Sequence, residues 1–490
     1  MKINYLLLAI VFVPLTGFSQ GRTNLWYMGY PGGGGGITMD FSSGSMNIFA
    51  QPRIMPFEET IGIISDEQGN FLFSSNGVFI MNANNDTMQN GSGLNPSWYT
   101  TQWENYGLLI IQGNLIIPIP SDSMRYYLFH ETVESPQIIG YIPYHLYYSI
   151  IDMSLNNFLG EVTQKNMSII SDTLDLGAIT SVKHANGRDW WVVIKKRDSN
   201  RFYKILVTNS GMYVSFQDIG NVRTDWNNHA SFSFDGSKYA LYCVNNDLDI
   251  FDFDRCSGLF SNYQNVLIND SGFAWGCSFS SNSKFLYVST GYHVYQFDVL
   301  NANISNSKIT VADWDSTYSP NPPLATGFFL SQLAKDGKIY VNCPNSTDVL
   351  HVINFPDSAG LSCDLVQHGI QLPALNAFTM VNFPNYYLGA ITGSICDSLT
   401  GVSEVLPQIK FNIKPNPVTN GNLQINYLLP QNASGVFNLI DINGAEVFSY
   451  NLPQWSTYQS FDVSGLANGI YVAEITSKGI KSYTKVGIMR

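Results

Sequence analysis

Charge is scarce in this chain. Lys, Arg, Asp and Glu together make up 13% of its 490 residues, about half the ~25% usual for globular domains. Its polar surface must therefore come from Asn, Ser, Thr, Gly and Tyr, which suit turns and exposed strand faces better than long solvated helices. No Lys/Arg run interrupts a net charge of −12, so phosphate backbones and anionic lipid surfaces are disfavoured as partners. No apolar stretch reaches the eighteen or so residues of a membrane-spanning helix. The six cysteines, Cys243, Cys256, Cys277, Cys343, Cys363 and Cys396, include no CxxC pair, which argues against zinc ribbons and thioredoxin-like redox chemistry. Seven scattered histidines form neither HxH nor HExxH, and no GxSxG nucleophile elbow occurs.

The N-terminus reads as an address. Met1-Lys2 carries one positive charge, Leu6 to Val13 is a short apolar core, and Gly17 and Ser19 supply small residues at the −3 and −1 positions of a signal-peptidase site. Cleavage between Ser19 and Gln20 is expected, and the apolar core is too short to anchor in a bilayer. An oxidising destination would let the cysteines pair. Six allow fifteen connectivities, with buried free thiols as the alternative. Cys363 with Cys396 is the expected pair, because both sit near the end of the body.

From Asn24 to about Ile395, runs of four to seven Val-, Ile-, Tyr- and Phe-rich residues alternate with Gly, Asn, Asp and Ser clusters. Such runs read as strands joined by tight turns. One unit, strand–polar turn–strand, recurs at Ile64–Phe73, Phe232–Tyr242, Phe279–Val288 and Leu333–Val341. Its Asp-Gly or Asn-Ser tip supplies the positive φ of a hairpin. A second unit recurs at Tyr148–Met153, Asp249–Asp254 and Val294–Val299. A spacing of about 45–50 residues with about four strands per period is that of a β-propeller blade. The body then holds seven blades, or eight, with an array of sandwiches as the architectural alternative.

Segments such as Trp26–Gly29, Ser75–Val78, Met88–Gly91, Val182–Gly187 and Trp190–Val193 resemble the propeller-like regions of large secreted Bacteroidetes proteins. That resemblance implies architecture and no particular activity. The glycine run Gly32–Gly36 reads as a flexible loop, since no Lys-Ser/Thr pair follows to make it a phosphate cradle.

The composition shifts after Cys396. Seven short strands are predicted at Lys410–Ile413, Leu423–Tyr427, Gly435–Asp441, Glu446–Tyr450, Tyr458–Asp462, Gly469–Thr476 and Lys481–Ile488, enough for a small β-sandwich. Pro415-Asn416-Pro417 forces an extended, kinked start. Asp441 to Gly444 closes a hairpin, Asp462 to Gly469 makes a turn, Tyr471 launches a strand, and Lys485 lies in the last one. These motifs closely resemble the type A C-terminal sorting domain of Bacteroidetes type IX secretion. The resemblance implies passage through the outer membrane by that machinery, and residence at the cell surface or beyond. The expected plan is a signal peptide (1–19), an all-β propeller (20–396), a linker (397–409) and a sorting domain (410–490). Asp-Ser/Thr triplets at Asp86, Asp122, Asp172, Asp315, Asp357 and Asp397 resemble the O-glycosylation site of the same bacteria, or are chance matches in turns.

Chemistry is harder to find. His184, in Lys-His-Ala-Asn-Gly, reads as a group holding a blade turn, with a functional role as the rival. Asp252 and Asp254 share one strand face, where they either bind Ca²⁺ or serve as solvated and turn carboxylates. Exposed aromatics on a propeller face would stack on sugar rings, whereas buried ones fill the space between blades. No cofactor is expected. The composition favours a non-enzymatic module that binds a glycan or protein. A glycan hydrolase or lyase with carboxylates at the propeller mouth is the alternative.

Overall fold

The computed structural model describes residues 21–135, 140–224, 228–243, 247–320, 323–396, 410–429, 433–454, 458–478 and 480–489. The signal-cleavage site at Ser19 and Gln20 and the 397–409 linker lie outside these. The chain divides into two compact units, one ending at Asp397 and the other spanning Ser398–Arg490.

Seven antiparallel sheets follow one another along the first unit, each built from consecutive strands. Blade 1 is Leu25–Met28, Ile37–Asp40 and Asn47–Ala50. Blade 2 is Gly62–Ser65, Phe71–Ser75 and Ile80–Asn82. Blade 3 is Asn114–Pro118, Arg125–His130, His145–Asp152 and Glu161–Ser171. Blade 4 is Thr180–Lys183, Trp190–Lys195, Arg201–Thr208 and Gly211–Asp218. Blade 5 is His229–Phe232, Lys238–Cys243, Asp247–Asp254 and Leu259–Val266. Blade 6 is Gly276–Phe279, Phe285–Ser289, His293–Asp298 and Ile309–Asp313. Blade 7 is Ser331–Leu333, Ile339–Val341, Thr347–Ile353 and Leu365–Asn376.

The recurring sequence units fall where a blade needs them. The strand–turn–strand unit is the first hairpin of blades 2, 5, 6 and 7, and the second unit is the third strand of blades 3, 5 and 6. Second strands are buried on both faces, as in Trp190–Lys195, and read as unbroken apolar runs. Outer strands such as Gly211–Asp218 are largely exposed.

Each sheet packs on the next. Tyr27 meets Phe71 at 4.9 Å between ring centroids, Phe73 meets Tyr126 at 5.6 Å, and Phe202 meets Tyr239 at 5.8 Å. Shared apolar clusters join blade 3 to 4, blade 5 to 6 and blade 6 to 7. The last sheet packs on the first, with Tyr340 edge-on to Trp26 at 5.8 Å. The unit is therefore a closed seven-bladed β-propeller.

Blade 1 is unusual. Gly21 N–H donates to Glu67 O (2.9 Å), past the end of the first strand of blade 2, and Phe57 N–H donates to Gly29 O (3.2 Å) at the other end. Leu25–Met28 thus runs opposite to the other first strands, in the manner of a second strand, and blade 1 lacks the axis-side strand. That place is taken by Ala377–Ala390, an axial strap from the far end of the unit. It starts where Phe378 N–H donates to Glu58 O (2.9 Å). It passes Ile116, whose carbonyl accepts from Tyr386 Oη (2.7 Å), and reaches Gly389, whose carbonyl accepts from Arg255 Nη2 (2.6 Å).

The strap ends in a disulfide, and the expected pairing is corrected here. Cys396 is bonded to Cys256, with Cα atoms 5.8 Å apart, while Cys363 is a buried free thiol. Cys363 lies in the turn before the last strand of blade 7. The strap instead carries Cys396 across the ring to a turn of blade 5, so closeness in sequence was a poor guide to closeness in space.

The second unit is a β-sandwich. One sheet orders Lys410–Lys414, Asn422–Leu428 and Tyr458–Asp462. The other orders Glu446–Leu452, Gly435–Ile440, Gly469–Ser477 and Ile480–Ile488. Ile425, Phe437, Leu439, Ala473, Ile475 and Val486 are among its fully buried core residues.

Candidate functional site: an axial cup

The first strands of blades 4 to 7 and the strap enclose a cavity of about 210 Å³ on the propeller axis. One end is closed. The Gln112 side chain bridges to blade 5, its Nε2 donating to Ala230 O and its Oε1 accepting from Ala230 N–H, both at 2.8 Å. Gln112 Nε2 also donates to Asn382 Oδ1 on the strap at 3.1 Å. At the other end stand Phe234, 43% exposed, and the exposed Lys335. The mouth is therefore ringed by the hairpin tips that recur in the sequence.

The lining mixes apolar surface with mostly neutral polar groups. The four first strands are sheet edges, so one side of each carries backbone N–H and C=O groups that no further strand pairs. Thr180 and Ser278 line the space with hydroxyls that are not enclosed. Among the described residues, the enclosed Ser181 Oγ, Ser331 Oγ and Trp26 Nε1 have no hydrogen-bond partner. Phe232 and Phe383, half-buried, supply apolar surface. Among the described residues no Asp or Glu lines the cavity, and the one formal charge, Lys335, donates to Asn24 Oδ1 at 2.7 Å.

His229 and Cys277 lie deep in the wall. His229 Nδ1 accepts from Cys277 N–H at 3.2 Å and sits 3.6 Å from the Cys277 sulfur. Burial lowers the His229 pKa to about 4 and pushes the Cys277 thiol up. At neutral pH this is a neutral imidazole beside a protonated thiol, which is the wrong state for a thiolate nucleophile.

The residues singled out in the sequence lie elsewhere. His184 Nε2 donates to Cys256 O (2.9 Å) and its Nδ1 accepts from Asn186 N–H (3.1 Å), locking a blade 4 turn to blade 5. Asp252 binds Lys238 Nζ (2.5 Å) and Asn262 Nδ2 (2.6 Å). Asp254 accepts from Cys256 N–H and Ser257 Oγ, both at 2.8 Å. Among the described residues no group of three or more His, Cys, Asp or Glu side chains is placed to hold a metal ion. Sequence reasoning missed Gln112, Asn382 and the strap. The usable signal was Asn382–Tyr387, an aromatic segment broken by Pro384 beyond the last repeat, which fits no blade.

In the sandwich, the Asn416 side chain spans two backbone groups of the last strand, donating to Lys485 O (2.8 Å) and accepting from Gly487 N–H (3.0 Å). It stands between Pro415 and Pro417, both preceded by cis peptide bonds. Asp441 Oδ1 accepts from Asn443 and Ala445 N–H (2.9 and 2.8 Å), and Gly444 holds the hairpin at φ 82°. Asp462 Oδ1 caps its turn through Ser464 N–H (2.8 Å), Gly469 opens the next strand, and Tyr471 Oη donates to Ala467 O (2.7 Å).

The fold thus defines an all-β protein, a propeller followed by a sandwich. Residues 412–489 match the family of secretion system C-terminal sorting domains. The type IX sorting tail marks the chain for export, to the cell surface or beyond, and implies engagement of the secretion machinery. Among the described residues no helix is long and apolar enough to cross a membrane.

Solved structures similar to the chain include two that illustrate the range. One is a quinonprotein alcohol dehydrogenase-like protein from Bacteroides thetaiotaomicron, at 11% identity over 74% of this chain and 79% of that one, with a TM-score of 0.38. The other is the Cps50 (Swd1) β-propeller domain of Myceliophteria thermophila, at 11% identity over 68% and 92%, with a TM-score of 0.33. No curated protein matches.

Proposed function

We propose that the protein is a non-enzymatic binding module that displays an axial cup outside the cell. An N-terminal signal peptide, cut between Ser19 and Gln20, starts its export, and the 397–409 linker joins propeller to sorting domain. The cup carries this reading: it is blind at Gln112, open at the hairpin tips and, among the described residues, free of carboxylates along its lining. Glycoside cleavage by paired carboxylates needs two such groups roughly 5–10 Å apart, and the cup offers no seat for them. Mouth carboxylates are held in their own turns. Asp235 accepts from Ser233 Oγ (2.6 Å) and Asp336 from Tyr340 Oη (2.7 Å).

The test uses the exported protein and a Ser231→Trp variant, whose indole fills the cup, on glycan and protein arrays. Capture that Ser231→Trp abolishes supports the reading. Capture that survives a filled cup, or turnover of the captured molecule, defeats it.

A further inference from the structure

We infer that the cup takes the terminal residue of a neutral glycan: one uncharged, polyhydroxylated ring. This deepens the binding reading above and rests on it. Three observations carry it.

The first is charge. Ionic ligands moved out of water need a counter-charge, because an unpaired buried ion is strongly penalised. Among the described residues the lining has no carboxylate to meet an ammonium group, and the one cation stands at the mouth, tied to Asn24. Uronic acids, sugar phosphates and zwitterionic amino acids would all enter uncompensated.

The second is the type and spread of polar groups. Edge backbone groups, the Thr180 and Ser278 hydroxyls and the Gln332 amide are neutral donors and acceptors on several sides of one space. A sugar ring bears hydroxyls around its whole rim and an apolar C–H face, and suits such a wall interleaved with Phe232 and Phe383. The Thr180 and Ser278 hydroxyls are not enclosed by protein, so they are free to meet a ligand hydroxyl in the cup.

The third is shape. About 210 Å³ lies below the ~300–1,000 Å³ usual for drug-sized ligands, so one ring is the natural content. Gln112 and Asn382 close the inner end. A sugar inside a chain has a neighbour on both sides and cannot enter a blind cup, whereas a chain end can.

The experiment is a thermal-shift and calorimetric titration of the full exported chain. The probes are methyl glycosides of neutral hexoses and N-acetylhexosamines, the matching uronates and hexose phosphates, and oligosaccharides bearing the same sugar at the end or only internally. A neutral glycoside is expected to stabilise the propeller transition and leave the sandwich transition unmoved. Its uronate and phosphate should bind at least tenfold more weakly. End-bearing oligosaccharides should match the monosaccharide, and internal-only ones should fail. Thr180→Ala and Ser278→Ala, small changes that leave the blades packed, should each weaken binding about three- to tenfold, the value of one neutral hydrogen bond.

Equal or tighter binding of the charged sugars, binding of internal residues, or no response to any neutral sugar at tens of millimolar overturns the inference. If array capture of another chemical class is lost in Ser231→Trp, the binding module stands and only the ligand class falls. If nothing depends on Ser231, both fall.

Discussion

The two units of this chain reach an all-β core by different routes. In the sandwich, seven strands fit within about eighty residues and every core partner is near in sequence. In the propeller each blade is just as local, but the ring exists only because Trp26 meets Tyr340 and residues 377–396 return through the axis. The units also differ in chemistry. All seven histidines and all six cysteines precede residue 397. Redox and acid perturbations should therefore separate them. The comparison teaches that periodic pattern builds sheets, whereas closure rests on a few distant side chains.

The largest separation should come from the disulfide. Cys256–Cys396 spans 140 residues, and a link of that length stabilises by about 4–5 kcal/mol in the chain-entropy account. Cys256→Ser with Cys396→Ser should lower the propeller transition in calorimetry and leave the sandwich transition where it is. Chymotrypsin should then cut the strap first, at Tyr386 or Tyr387. An unchanged propeller transition would mean that strap hydrogen bonds alone close the ring.

Next come the cores. Trp26→Ala empties the seam between blades 1 and 7, where the indole is fully buried, at a cost of about 3–5 kcal/mol. Phe437→Ala removes a ring stacked on Phe461 at 5.1 Å, with a similar cost confined to the sandwich. Two-transition calorimetry of both variants checks the independence of the units. Movement of the sandwich transition in Trp26→Ala would break it.

These particulars explain what was legible in the sequence. Each predicted sandwich strand is present, within one or two residues at its ends, because period-2 patterning and turn chemistry are local signals. The hairpins of blades 2, 5, 6 and 7 were legible for the same reason. Blade 1 fits no repeat because its first strand runs backwards and its axis-side place is filled by residues more than three hundred positions later. The cup was illegible too. Gln112, Ala230 and Asn382 are ordinary polar or small residues whose meeting depends on ring closure, and the disulfide pairing failed on the same point.

Acid should act more strongly on the propeller than on the sandwich. Burial holds His130 at about 3, and His229 and His351 at about 4, against ~6.5 for a free imidazole. The folded pKa values are depressed, so the unfolded chain takes the proton first. Stability is whole above about pH 6.5 and is lost as pH falls from there through about 4. The His229 share is on the order of 3 kcal/mol from the ~1.4 kcal/mol per pKa unit. Urea melts at pH 7 and pH 4.5 should show the propeller midpoint falling much more than the sandwich midpoint. Equal losses would place the acid response in carboxylates common to both units.

The smallest contrast compares one chemical change made in both units. Tyr386 Oη donates to Ile116 O and Tyr471 Oη donates to Ala467 O, both at 2.7 Å. The first bond joins residues 270 positions apart and is buried; the second joins residues four apart and is partly buried. Tyr386→Phe leaves a buried carbonyl without its donor, a loss of about 1–3 kcal/mol, whereas the Ala467 carbonyl in Tyr471→Phe has water at hand and loses about 1 kcal/mol or less. Bond length is the same, so any difference in midpoint measures what burial and closure add. Tyr386→Phe should also quicken chymotryptic cutting of the strap, because its hydroxyl pins the strap to blade 3. If the two variants shift their own transitions equally and the strap stays resistant, Tyr386 is only one packing residue among many, and the strap is held by its ends.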